Sequence, residues 1–335
     1  MSDAEQREAD QLDGVPLPEE REAVVGHAAA RAVIDPDRLP HAFLLHGPRG
    51  IGKATLAFDL ARDLLVRTGD EDVAQVAAQV AAGSHPNLRV LRKAPRDTGK
   101  GFYTAIRIEE VRSLIGESRL TRGRTGCRLV IVDAIDDCNP ASANALLKIL
   151  EEPPSDTLFV LISHRPGGLL PTIRSRCRSI ALRPISDPGV REVLGADATE
   201  IAVSLAGGRP RRAYEALTIG EDAGLVALRA WLASPATAAT AATLSIAEAL
   251  AADKAGAAHA FGRELLGDWI AEEGKSAATA GARARLASAQ ALWDKATALF
   301  ADAEEYNLDA RQTLISVMDA IRRHAQTHLS LAETR

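Results

Sequence analysis

The segment HGPRGIGKAT, residues 46–55, has the residue types and the spacing of a loop that binds phosphate. It fits the pattern G-x-x-x-x-G-K with Gly47, Gly52 and Lys53, and we place Gly50 in the same loop. Glycines let backbone N–H groups turn toward an anion, the following helix adds its positive dipole end, and the lysine reaches the outer phosphates. The alternative interpretation is a glycine-rich turn between a strand and a helix, with an exposed lysine.

Two positions where nucleotide hydrolysis needs an oxygen atom are occupied by alanine. A Ser or Thr after the loop lysine normally ligates Mg²⁺, and here that residue is Ala54. Thr55 lies about 100° further round a helix, so its hydroxyl is poorly placed to replace it. Asp133 ends the apolar run RLVIVD, at the carboxyl end of a strand where ligands lie in open α/β sheets. In ATPases of this design a water-polarising Glu follows, but here the next residue is Ala134.

The two alanines bear on catalysis more than on binding. A missing general base costs roughly 10²–10⁴ in rate, so we expect phosphate binding to survive and hydrolysis to be very poor. Asp136 and Asp137 are nearby but offset, and we interpret them as loop acids before the next helix. An active ATPase is the open alternative, and it would need Asp136 as the base and Thr55 on the metal.

Five short apolar runs alternate with segments of helical spacing in the first half of the chain. Strands that are apolar on both faces and separated by helices predict a parallel sheet covered on each face. We therefore expect a three-layer α/β domain with a five-stranded parallel sheet. The runs lie at residues 42–46, 87–91, 128–134, 157–163 and 178–182.

The remainder of the chain reads as helical. Strand signals end after Pro184, residues 186–220 look like a small helical module, and residues 223–332 are strongly helical and rich in alanine. We expect the polar stretch EEGKSAATAG, residues 272–281, to interrupt two helices. Residues 1–16 are acidic and predict a disordered arm.

Composition and cysteine spacing exclude several classes of protein. With 335 residues and a net charge of −5, the chain allows two or three domains and is not a basic nucleic-acid coat. Cys127, Cys138 and Cys177 lack the spacing of a zinc or CxxC site, so we predict no zinc. No apolar run approaches the roughly 18 residues that cross a bilayer. We expect a cytoplasmic protein with no membrane contact.

One stretch of the chain is locally basic. Glutamates among its arginines reduce the net positive charge of the stretch, so we interpret it as a solvated helix face. A contact with DNA is the weaker alternative. The arginines are Arg107, Arg112, Arg119, Arg122, Arg124 and Arg128.

Three longer segments are similar to the clamp-loader branch of the AAA+ ATPases. The resemblance covers about residues 23–220. Of the three segments, those that contain EEPP and SRC are the specific ones, because a phosphate loop alone occurs in many proteins. The segments are RLPHAFLLHGPRGIGKATLA (38–57), ASANALLKILEEPP (141–154) and LPTIRSRCRSIAL (170–182).

The resemblance implies a domain order. An AAA+ P-loop domain is expected over residues 17–184, followed by a small helical lid domain over 185–220. An all-α collar domain for oligomerisation is expected over 221–335.

The resemblance also implies roles for single residues. Arg176, in the SRC segment, would act as an arginine finger on the ATP of a neighbouring subunit. Ser163 would be a polar sensor of the γ-phosphate, with His164 as the alternative. Arg211 would be a second sensor arginine, although Pro210 is expected to disturb the local helix. A solvated basic face that includes Arg211 is an equal alternative.

The function implied is that of a non-catalytic clamp-loader subunit. It would hold ATP or ADP in a degenerate site, assemble with gamma/tau and delta subunits, and act through the complex on a sliding clamp and primed DNA. The alternatives are an active gamma/tau-like clamp-loader ATPase or another AAA+ ATPase. A kinase is disfavoured because no acceptor-binding segment is apparent.

Overall fold

The computed structural model describes residues 11, 15–36, 38–97, 101–118, 125–219, 222–252 and 256–333. The chain divides into two compact units, residues 1–217 and 218–335. The predicted acidic arm, residues 1–16, lies almost wholly outside the described residues.

Unit 1 is built on a five-stranded parallel sheet with the strand order β2-β3-β4-β1-β5. All five predicted strands are confirmed, with bounds within one residue of those expected. The order places β4 between β1 and β3, so the three central strands end side by side. The strands are β1 (Ala42–His46), β2 (Leu88–Leu91), β3 (Arg128–Asp133), β4 (Thr157–Ser163) and β5 (Arg178–Ala181).

Helices cover both faces of this sheet. Along β1, Phe43 and Leu45 join one apolar cluster while Leu44 joins the other, because side chains alternate across a strand. The expected three-layer α/β architecture is confirmed. The helices that begin in unit 1 are α1 (Ala28–Ala32), α2 (Lys53–Gly69), α3 (Val73–Ala81), α4 (Ile108–Ser118), α5 (Pro140–Glu151), α6 (Pro171–Arg174), α7 (Asp187–Leu194), α8 (Glu200–Ala206) and α9 (Pro210–Ile219).

Local sequence signals explain where several of these helices begin. The Asn139 side chain accepts a 2.9 Å hydrogen bond from the Ser142 amide, and Pro140 occupies the first turn of α5. Pro210 likewise lies at the first residue of α9. The expectation that Pro210 disturbs the local helix was therefore wrong, because proline at the first turn removes only an amide that has no helical partner.

Unit 2 is helical throughout its described part. The expected break at residues 272–281 is confirmed only at the end of that stretch, because α12 continues to Thr279 and residues 280–282 separate it from α13. Its polar residue Glu273 is used inside the unit, where its carboxylate binds the Arg285 guanidinium. The helices are α10 (Ala223–Ala233), α11 (Thr240–Ala251), α12 (Ala257–Thr279), α13 (Arg283–Glu305) and α14 (Ala310–Glu333).

Candidate nucleotide site and arginine corner

The phosphate loop, residues 47–53, connects the end of β1 to the start of α2 as predicted. Gly50 and Gly52 have φ angles of 79° and 97°, in the left-handed region that favours glycine. A Cβ added at Gly47 would lie 2.4 Å from the Leu182 carbonyl oxygen. The loop therefore requires glycine for its backbone geometry, independently of any ligand.

Lys53 folds back onto the phosphate loop. Its Nζ donates hydrogen bonds to the carbonyl oxygens of Gly47 at 2.8 Å and Pro48 at 2.7 Å. The residue is 3 % exposed. Burial lowers the pKa of Lys53 to about 8, although Asp133 and Asp136 act in the opposite direction. The ammonium group is thus hydrogen-bonded to its own loop in this structure.

Two further donors bind carbonyl oxygens of the same loop. The Arg211 amide, at the start of α9, donates to the Gly50 oxygen at 3.2 Å. The His27 ring nitrogen Nε2 lies 2.5 Å from the Ile51 oxygen, which requires the tautomer with a proton on Nε2. The Arg211 side chain lies beside Gly50, and its Nε is 2.9 Å from Oε1 of Glu215. The predicted sensor Arg211 therefore donates to the loop through its backbone amide.

Neither of the two positions where hydrolysis needs an oxygen atom, 54 and 134, carries one on its side chain. Ala54 is the second residue of α2 and packs against the apolar cluster on that face of the sheet. Ala134 belongs to the same cluster and is 3 % exposed. Thr55 follows Ala54 in α2 and is half-buried. A carboxylate at position 134 would therefore enter an apolar environment.

Asp133 lies at the end of β3, as the apolar run predicts. Burial raises the pKa of this carboxyl group, while Arg92 and Lys53 act to lower it. Arg92 directly follows β2, the adjacent strand, and its Nη1 lies 3.2 Å from Oε1 of Glu19. Sequence reasoning missed Arg92. The rule that parallel strands end at one edge of a sheet could have identified it.

Asp136 joins the end of β3 to the end of β4. Its carboxylate accepts hydrogen bonds from the Ser163 hydroxyl at 3.1 Å, from the His164 amide at 2.7 Å and from the Arg165 amide at 3.0 Å. The predicted sensor Ser163 is fully buried, so its hydroxyl contacts Asp136. A carboxylate that holds three donors is occupied structurally, which disfavours Asp136 as a general base.

His164 lies beside Asp136. Its backbone amide is bound to Asp136, whereas its ring nitrogen Nδ1 is buried without a hydrogen-bond partner. Burial and the nearby Lys53 lower the pKa of His164 to about 4. The imidazole is therefore neutral near pH 7.

Arg176 lies apart from these contacts. Its Nη1 donates to the Thr172 carbonyl oxygen at 2.9 Å, and its Nη2 lies 2.8 Å from Oε1 of Glu151. We call this group, Glu151, Thr172 and Arg176, the arginine corner. One third of the Arg176 side chain (33 %) is exposed. The structure thus brings the phosphate loop, Asp133, Ser163 and Arg211 together, whereas the polar contacts of Arg176 lie elsewhere.

The locally basic stretch is only partly described. Arg107 contacts Glu110 and Asp97, and its guanidinium lies 4.0 Å from the ring centroid of Tyr103. Three of its arginines, at positions 119, 122 and 124, lie outside the described residues.

The part of the chain that the structure describes holds neither a cluster of metal ligands nor a membrane-spanning helix. No group of three or more His, Cys, Asp or Glu side chains is arranged to hold a metal ion. No helix in that part is both long enough and apolar enough to cross a membrane.

A phosphate loop after β1 and an acidic residue at the end of β3, in this five-stranded parallel sheet, define an α/β domain of the P-loop class. Residues 28–186 match the sequence model of the family described as DNA polymerase III, delta subunit. Over that region, which is just under half of the chain, the chain is similar to this family.

Individual relatives agree with this assignment. The chain is 39 % identical over 184 residues to the DNA polymerase III subunit delta prime of Pseudomonas aeruginosa, covering 51 % of this chain and 53 % of that protein. It is 31 % identical over 164 residues to the Bacillus subtilis subunit, covering 48 % and 47 %. The gamma/tau subunit of Mycobacterium bovis is 30 % identical over 171 residues, covering 50 % and 28 %. The chain spans about half the length of the delta prime relatives it matches.

One solved structure spans most of the chain. It is a DNA polymerase III gamma subunit-related protein from Thermotoga maritima, with 16 % identity and a TM-score of 0.42. It covers 89 % of this chain and 99 % of that chain.

Proposed function

We propose that this chain is a non-catalytic, delta prime-type subunit of the DNA polymerase III clamp loader. In that role it assembles with gamma/tau and delta subunits and, through the complex, loads a sliding clamp onto primed DNA. The delta prime relatives support the assembly role. The observation that carries the non-catalytic role is the phosphate loop itself, in which Lys53 binds loop carbonyls and Ala54 and Ala134 supply no oxygen.

We further propose that Arg176 is the group this subunit contributes to ATP hydrolysis. Its guanidinium is planar, always charged and suited to bidentate contact with phosphate oxygens. Partial exposure supports a role outside the chain, because a fully buried guanidinium could not reach a second molecule. An arginine finger supplied in trans is worth roughly 10³–10⁵ in turnover.

The proposed domain order assigns residues 17–184 to the AAA+ domain, 185–220 to the lid and 221–335 to the collar. The division of the chain near residue 218 supports a separate C-terminal unit.

We also propose that the phosphate loop retains weak affinity for ATP or ADP that does not depend on Mg²⁺. Calorimetric titration of each nucleotide into the chain, with and without magnesium, tests that point.

The test of the finger uses the reassembled complex. Arg176→Ala should reduce ATP turnover at the neighbouring site by about 10³-fold or more and reduce clamp loading with it. Arg178→Ala is the matched control, because it removes an exposed arginine two residues away. Unchanged turnover and loading with Arg176→Ala, in a complex that assembles normally, would reject the finger.

An active gamma/tau-like ATPase is the second candidate. The intact Gly47, Gly52 and Lys53 pattern, together with Asp133, favours it, as does the likeness to a gamma/tau subunit. Steady-state ATP turnover of the isolated chain near 1 s⁻¹, at the low end of ordinary enzymes, would support this candidate over our proposal.

A further inference from the structure

The guanidinium of Arg176 is fixed at two points by its own chain. Thr172, four residues earlier, offers its carbonyl oxygen to Nη1 at 2.9 Å. Glu151, from a different helix, places Oε1 2.8 Å from Nη2. An arginine side chain has several rotatable bonds, and two anchors restrict how far its charged end can move.

Glu151 occupies a position where a carboxylate needs compensation. It is the last residue of α5, and the carboxyl end of a helix carries partial negative charge, which disfavours an acidic side chain there. The positive charge of Arg176 compensates for both the Glu151 carboxylate and the Thr172 carbonyl. The contact is thus complementary in charge.

The guanidinium retains donors for a further partner. Arginine has five N–H donors, and the two contacts in the arginine corner engage two of them. A phosphate could therefore be bound while Glu151 remains in place. Holding the group in advance also lowers the entropy that is lost when it binds.

We propose that Glu151 is a positioning residue for Arg176. Its carboxylate holds the guanidinium in the orientation that the neighbouring subunit's triphosphate meets. This inference rests on the proposed finger role of Arg176. It adds that the EEPP and SRC segments act together, with Glu151 of the first orienting Arg176 of the second.

The experiment is a double-mutant cycle in the reassembled complex. Glu151→Ala should lower kcat for ATP turnover by roughly two- to five-fold, the range expected for a partly exposed ion pair, with little change in KM. Glu151→Gln keeps an acceptor oxygen and should lower kcat less. In the Arg176→Ala background, Glu151→Ala should have no further effect. Glu152→Gln is the matched control for charge at the adjacent position and should leave kcat unchanged.

The outcomes separate this inference from the proposed function. If Arg176→Ala leaves turnover unchanged, the finger role itself fails. If Arg176→Ala abolishes turnover but Glu151→Ala leaves or raises kcat, the finger role stands and the positioning role is rejected. A fall with Glu151→Ala that persists at full size in the Arg176→Ala background would also reject it, because such an effect would not pass through Arg176.

Discussion

The phosphate loop and the arginine corner each hold a cation, and the two cations differ in how far they are exposed. Lys53 is 3 % exposed, and its ammonium binds two carbonyl oxygens of its own loop. Arg176 is also held by its own chain, but a third of its side chain remains exposed and three of its N–H donors lie outside those two contacts. The loop lysine is thus enclosed by its own chain, whereas the guanidinium of Arg176 is partly accessible to a second molecule.

The largest effect on stability is expected from restoring the general base. Ala134→Glu would place a carboxylate in an apolar cluster, and an uncompensated buried charge costs about 3–5 kcal/mol. We expect a clear fall in the urea midpoint and no gain in ATP turnover. Ala141→Glu, at an exposed position in the first turn of α5, is the control and should change stability by less than about 0.5 kcal/mol. A well-folded Ala134→Glu chain that hydrolyses ATP would contradict our view of the loop.

A smaller loss of stability is expected when the carboxylates of Asp136 and Glu151 are replaced, and its size should differ between the two. Asp136→Asn replaces a carboxylate that accepts three hydrogen bonds, and bonds to charged groups are worth about 1.5–3 kcal/mol. Glu151→Gln changes a partly exposed ion pair, which is worth less than about 1 kcal/mol. Chemical denaturation of both variants should therefore show the larger loss for Asp136→Asn. Equal losses would mean that the two regions do not differ in this respect.

A further predicted effect appears only under acidic conditions, as a difference in acid sensitivity between the two regions. The folded-state pKa of His164 is lowered to about 4, below its ordinary value of 6.5. Between these values the unfolded chain binds a proton that the folded chain does not, so this residue makes stability fall as pH falls from about 6.5 to about 4. Denaturation midpoints at pH 7, 6 and 5 should show a weaker pH dependence for His164→Leu than for the wild type. Arg176→Ala should leave the dependence unchanged, and an identical slope for His164→Leu would contradict the assignment.

The sequence alone was sufficient for the sheet and for most of the phosphate loop. Long apolar runs identified all five strands, and the loop glycines followed from a pattern with a known backbone requirement. Asp133 was placed correctly because it ends such a run. These features depend on residues that are close together in the chain.

The contacts that distinguish the two regions join residues that are far apart in the sequence. Asp136 meets the end of β4 only because β4 lies beside β3, and that order cannot be read from the apolar pattern. The contact between Arg211 and Gly50 joins positions far apart in the chain. Glu151 and Arg176 lie in two segments that the sequence singles out separately, and the structure brings them together.

The most direct test of the central claim compares two substitutions in the same reassembled clamp loader. Lys53→Ala in this subunit removes the cation of the phosphate loop, and Arg176→Ala removes the cation of the arginine corner. We predict that Lys53→Ala leaves clamp-dependent ATP turnover within about two-fold of the wild type, whereas Arg176→Ala lowers turnover at the neighbouring site by about 10³-fold or more. The opposite pattern, a large loss with Lys53→Ala and none with Arg176→Ala, would contradict the claim that this subunit acts on another subunit's nucleotide.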